Sequence, residues 1–107
     1  MEKLLHDTLL YDFYADLLTD KQKDIYHLYF CEDLSLSEIG EKLGISRQAV
    51  NFSLKQARRS FDLMEDALGL VRRHLAARNR IDALRASIEC KNYSEASKIL
   101  DELSELI

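Results

Sequence analysis

The chain has 107 residues with no proline, 47% hydrophobic and 32% charged side chains, and a formal net charge of −4. That length leaves room for one domain of ordinary size with an extension, and the composition is that of a folded chain, which excludes a disordered one. No apolar run approaches the ~20 residues of a membrane span and no signal-peptide pattern is present, so a cytoplasmic protein without membrane insertion is expected.

The first helix is expected over residues 3–18, where Leu4, Leu5, Leu9, Leu10, Phe13, Leu17 and Leu18 share one broad face. Thr19-Asp20-Lys21-Gln22 has the spacing of a capping box, in which hydroxyl and amide side chains satisfy each other's backbone amides. It opens a second helix that turns Ile25, Leu28 and Tyr29 inward and stops near Cys31-Glu32-Asp33. Ser35-Leu36-Ser37-Glu38 repeats the capping box and starts a third helix with Ile39 and Leu43 as its apolar stripe. Gly44 ends that helix, since glycine takes the left-handed conformation a C-terminus needs before a sharp turn. Ser46 caps the next helix, and Ile45 and Val50 are spaced as a hydrophobic staple. Small Gly40 allows the two helices to approach, and Val50 is where the second buries a side chain against the first. Together these positions predict a helix-turn-helix over residues 35–59.

From Leu54 the apolar positions Ala57, Phe61, Met64, Leu68, Val71 and Leu75 recur at steps of 3 and 4. This predicts one long helix with a heptad-like seam, either packed on the N-terminal helices or paired with a second subunit. Gly69 weakens it locally. A new stripe follows at Ala77, Ile81, Leu84 and Ile88, then a break at Lys91-Asn92-Tyr93. A last helix, capped by Ser94, shows Ala96, Ile99, Leu100, Leu103 and Ile107 on one face. So much apolar face on a short chain favours association.

The net charge conceals a segregation. Residues 1–45 are net −6, while residues 46–60 are net +4 through Arg47, Lys55, Arg58 and Arg59. Residues 61–70 are −3, and residues 71–80 are +4 through Arg72, Arg73, Arg78 and Arg80. A local basic face on an acidic body binds a polyanion with weak long-range steering.

On the second helix of the motif Arg47, Gln48, Asn51 and Lys55 occupy the first two turns. Arginine and lysine meet guanine edges, glutamine and asparagine meet adenine, and Arg58 and Arg59 extend the strip toward a phosphate backbone. The alternative is a solvated or protein-binding face, which Phe52 suits as well as it suits a thymine methyl. Arg72 and Arg73 are either solvated charge or part of a docking site for RNA or a partner. Cys31 and Cys90 stand apart without a CxxC or Cys/His cluster and are expected to be buried or half-exposed free thiols. His6, His27 and His74 have no ligand-like neighbours, and no phosphate loop, nucleophile elbow or paired-acid arrangement occurs. No metal, cofactor or enzymatic activity is expected.

The stretch LLTDKQKDIYHLYFCEDLSLSEIGEKLGISRQAV, residues 17–50, resembles the YlxM-like family of small bacterial proteins. The resemblance implies a helix-turn-helix similar to region 4 of sigma factors, an all-helical dimer, and a part in the signal recognition particle pathway beside its GTPase. The chain departs from the family pattern after Val50, where Asn51, Phe52, Ser53, Leu54, Lys55 and Gln56 keep the buried aliphatic residue and the lysine but change the exposed face. The expected architecture is thus all-α without a wing. Residues 1–61 form a helical domain containing the motif, and residues 62–107 form C-terminal helices that dimerise through Phe61, Met64, Leu68, Val71 and Leu75.

Overall fold

The computed structural model describes residues 2–107, with side chains from Leu4 onward, and is all-α: among these residues every regular element is a helix. The chain divides into two compact units, Met1–Leu68 and Gly69–Ile107.

In the first unit, α1 (Glu2–Tyr14) runs into a 3₁₀ turn at Ala15–Leu17, followed by α2 (Asp20–Phe30), α3 (Leu36–Leu43) and α4 (Arg47–Leu68). Both capping boxes form. The Thr19 hydroxyl accepts from the Gln22 amide while the Gln22 side chain accepts from the Thr19 amide, and Ser35 and Glu38 do the same. Ile25 and Leu28 of α2, Ile39 of α3 and Val50 of α4 form one buried cluster, flanked by Leu34, Leu36, Ile45 and Leu54. Full burial of such a side chain is worth roughly 1.5–3 kcal/mol. Phe61 extends the core by meeting Tyr26 edge-on, with ring centroids 5.1 Å apart, and Tyr11, Tyr26 and Phe30 stack on one another as a trio.

Helix α1 packs along α4 in parallel register. Asp7 pairs with Arg58 and Tyr14 with Glu65, both at a sequence offset of 51, and the fully buried Leu10 and Phe61 stand at the same offset between them. The covered stripe is Leu9, Leu10 and Tyr14. Leu4, Leu5, Phe13 and Leu17, expected on the same apolar face, stay exposed because α4 covers only that one stripe. The helix also ends at Tyr14 rather than at residue 18. Tyr29, expected inward, is exposed at the rim of an open cleft.

The second unit is a hairpin of α5 (Leu70–Glu89) and α6 (Tyr93–Glu105), tied by an Arg80–Glu102 ion pair at 2.6 Å and closed over buried Ala96 and Ile99. Leu100 and Ile107, read as part of that face, are exposed. Lys91 takes φ 57°, which turns the chain so that the Asn92 side chain accepts from the Glu95 amide. Asn92 is therefore the cap, and Ser94 lies inside the helix.

The long helix read from the stripe of Leu54 to Leu75 is interrupted at Gly69, whose φ of 63° is left-handed and cannot continue a right-handed helix. Both cysteines are free, but exposed rather than buried or half-exposed as expected, because each sits just past a helix C-terminus, Cys31 after α2 and Cys90 after α5.

Candidate nucleic-acid interface

The turn between α3 and α4 is fixed by backbone. Gly44 has φ 70° and ψ 34°, and the amides of Gly44 and Ile45 both donate to the Gly40 carbonyl. A Cβ on Gly40 would lie 2.7 Å from the Ile45 carbonyl oxygen, so the helices approach to a distance that only glycine permits. The Ser46 hydroxyl accepts from the Ala49 amide at 3.0 Å, starting α4, and Val50 is fully buried. The orientation of α4 on α3 is thus set by a steric limit on one side and an apolar plug on the other.

At 100° per residue, α4 displays two adjacent ridges. Gln48, Phe52, Lys55 and Arg59 lie on one, and all four are exposed, Phe52 at 63%. Arg47, Asn51, Leu54 and Arg58 lie on the other, which turns from solvent at Arg47 toward α1 and α2 along the helix: Asn51, Leu54 and Arg58 are half-buried. The opposite face, with Val50, Ser53, Ala57 and Phe61, is buried. The six basic and amide residues expected to act together are therefore split, with Gln48, Lys55 and Arg59 on the open ridge, and Arg47, Asn51 and Arg58 on the flank, of which only Arg47 at its N-terminal end is exposed.

Arg58 is held inward. Its Nη1 donates to Asp7 Oδ1 at 2.7 Å and its Nε to Asp62 Oδ1 at 3.4 Å, and it lines a cleft with Tyr26. Burial works against its charge, but the neighbouring Asp7 carboxylate outweighs that and holds the guanidinium above its usual value. Burial raises the Tyr26 hydroxyl, with Arg58 pulling the other way. Sequence reading missed Asp7 and the Tyr14–Glu65 bond at 2.7 Å, since nothing local signals contacts 51 residues apart. The Asp62 partner was legible as an i, i+4 pair.

Of the seam positions, Phe61 and Val71 are already fully buried within the single chain, Met64 and Leu75 are half-buried, and Leu68 is exposed. The Gly69 break places Phe61, Met64 and Leu68 on α4, and Val71 and Leu75 on α5. Arg72, Arg73, Arg78 and Arg80 are exposed on α5, with Arg80 engaged by Glu102. Among the described residues no cluster of His, Cys, Asp or Glu is placed to hold a metal ion, and no helix is long and apolar enough to cross a membrane.

Two helices joined by a glycine turn, the second anchored by one buried aliphatic residue and presenting an open polar ridge, define a helix-turn-helix protein. The chain belongs to the UPF0122 family, whose model, "Putative helix-turn-helix protein, YlxM / p13 like", matches residues 1–104. It is 44% identical to a UPF0122 protein of Thermoanaerobacter sp. (strain X514), over 96% of this chain and 92% of that one. It is 43% identical to one of Acetivibrio thermocellus, over 100% and 95%, and 36% identical to one of Listeria innocua, over 98% and 94%.

Proposed function

We propose that this is a cytoplasmic nucleic-acid-binding regulatory or accessory protein that lays α4 in the major groove of duplex DNA in the manner of sigma region 4. The observation that carries the reading is the open ridge of Gln48, Lys55 and Arg59, with Arg47 at the amide-rich start of α4, mounted on a turn whose geometry Gly40 and Gly44 fix. Gln48 and Arg47 reach base edges, while Lys55 and Arg59 neutralise phosphates. Asn51, half-buried on the flank, contributes to base contact at the groove wall. Homodimerisation is part of the proposal, supported by exposed Leu63 and Leu68 on α4. A place in the signal recognition particle pathway, with its RNA and GTPase as further partners and Arg72 and Arg73 as docking cations, is proposed from the likeness of residues 17–50 to the YlxM-like family.

A second reading, a protein–protein adaptor that keeps the motif without binding DNA, is favoured by one observation: Phe52 stands in the middle of the open ridge. One titration series separates the two. The purified protein is titrated in a single buffer with duplex DNA, the particle RNA and the targeting GTPase. Nucleic-acid binding shows a log–log salt slope of about −0.9 per phosphate neutralised, and Gln48→Ala or Arg47→Ala reduces sequence preference. No nucleic-acid binding below roughly 10⁻⁴ M at physiological salt, together with GTPase binding lost in Phe52→Ala, overturns the first reading in favour of the adaptor.

A further inference from the structure

We propose that Arg58 is a positioning residue of the nucleic-acid interface and not one of its contacts: held by Asp7, it fixes the rotation of α4 about its own axis. The functional half of this inference rests on the nucleic-acid reading above, whereas the latch itself rests on geometry.

Arg58 pairs across helices with Asp7 of α1 and within its own helix with Asp62, and it lines a cleft with Tyr26 of α2. The Asp7 side chain is only 15% exposed and that of Arg58 38%. A phosphate that took the guanidinium would leave a carboxylate stranded in a mostly closed site, a loss larger than a surface phosphate contact returns. Direction agrees with energy. Arg58 sits about 60° around α4 from Lys55 and about 100° from Arg59, turned toward the body and away from the open ridge.

The latch has a second point. Seven residues further along both helices, the Tyr14 hydroxyl donates to Glu65 Oε1 at 2.7 Å, at the same offset of 51. One tie would let α4 swing about it; a second about 10 Å along the axis stops that, and the fully buried Leu10 and Phe61 between them resist roll about the line that joins the ties. Side-chain tips lie about 5–6 Å from a helix axis, so a roll of about 20° would move Gln48 and Lys55 by about 2 Å, enough to break a paired base contact. Opening the latch therefore acts on the ridge without touching it.

The test uses the full-length protein and a 20-base-pair mixed-sequence duplex. Charge alone predicts that Asp7→Ala, which removes a negative side chain, tightens binding; the latch predicts that it weakens binding by about tenfold. Arg58→Lys keeps the charge but loses the fork, and is expected to weaken binding like Arg58→Ala. Lys55→Ala lowers the salt slope by about one unit, whereas Arg58→Ala leaves it unchanged. Tighter binding by Asp7→Ala, or a slope lowered by a full unit in Arg58→Ala, overturns the proposal. Should Asp7→Ala fail to fold, Asp7→Asn keeps the shape and serves instead. If the wild type binds no duplex, the nucleic-acid reading falls, and a melting cycle still decides the latch. Asp7→Ala and Arg58→Ala each lower the melting temperature, and the double variant melts near the worse single one. Simple additivity of the two overturns it.

Discussion

The Ile45 carbonyl oxygen lies against Gly40 at a distance that leaves no room for a Cβ, which would meet it at 2.7 Å. Both atoms belong to backbone, one in α3 and the other in the turn, so neither yields without moving a helix. Gly40→Ala is expected to cost about 1–3 kcal/mol, the range of an overpacked core site. Thermal melting checks this. A variant as stable as the wild type would mean that the two helices are further apart than described.

Gly69 gives a prediction whose sign decides between two pictures. In a continuous helix, Gly69→Ala stabilises by about 1 kcal/mol through propensity. With φ at 63°, alanine is strained instead, and the same change is expected to cost about 1–2 kcal/mol. A Cβ at this position would also meet the Arg72 guanidinium, but that is the end of a flexible side chain and moves at little cost. Gly69→Asn, which tolerates the left-handed region better, should lie between the two. A rise in melting temperature for the alanine variant would restore the unbroken helix.

Glu38 links the α3 cap to pH. Its carboxylate accepts from the Ser35 backbone amide and is held below the usual glutamate value by that bond and by the Ser35 hydroxyl. A lowered folded value means that the stabilisation is complete above the unfolded value and is lost as pH falls through the folded one. The stability profile of the wild type should therefore drop, relative to Glu38→Gln, on acidification into the carboxylate range. Glutamine keeps the acceptor and removes the titration, so parallel profiles would exclude a charged cap.

Association is tested at an exposed site so that folding survives. The wild type is expected to sediment as a dimer at micromolar concentration, and Leu68→Glu to shift it to monomer with unchanged helical circular dichroism. Met64→Glu combined with Leu68→Glu should abolish pairing, with some loss of stability because Met64 is half-buried. A wild type that stays monomeric at high concentration removes the dimer.

The features legible in the sequence are ones whose cause lies within four residues. The Thr19–Gln22 and Ser35–Glu38 boxes, the Gly44 turn, the Ser46 cap and the burial of Val50 all follow from spacing alone. The true start of α6 was also there to be read, because Asn92 and Glu95 have the cap-to-third-residue spacing, whereas Ser94 is followed at that distance by Ser97. Gly69 was legible as a weak point but not as a break, since propensity registers its cost and not its φ. The inward turn of Arg58 was not legible. A basic residue on a recognition-type helix reads as a contact until Asp7, 51 residues earlier, is seen beside it. Spacing thus groups the candidate residues of α4 as one set, and only packing separates ridge from flank.

The constant offset of 51 between α1 and α4 also sets a timetable for the newborn chain. Synthesis at roughly 5–20 residues per second puts about 3–10 s between the emergence of α1 and that of the helix it must dock on. During that interval α1 has the contacts of Tyr11 with Tyr26 and Phe30 of α2, but the α4 partners of Asp7 and Tyr14 are still to come, whereas the α4 residues that α2 and α3 meet lie nearer to them in the chain. The first helix made is in this sense among the last to be seated, and the seconds of its exposure at the ribosome are when a chaperone or a second nascent chain has its best access to the protein.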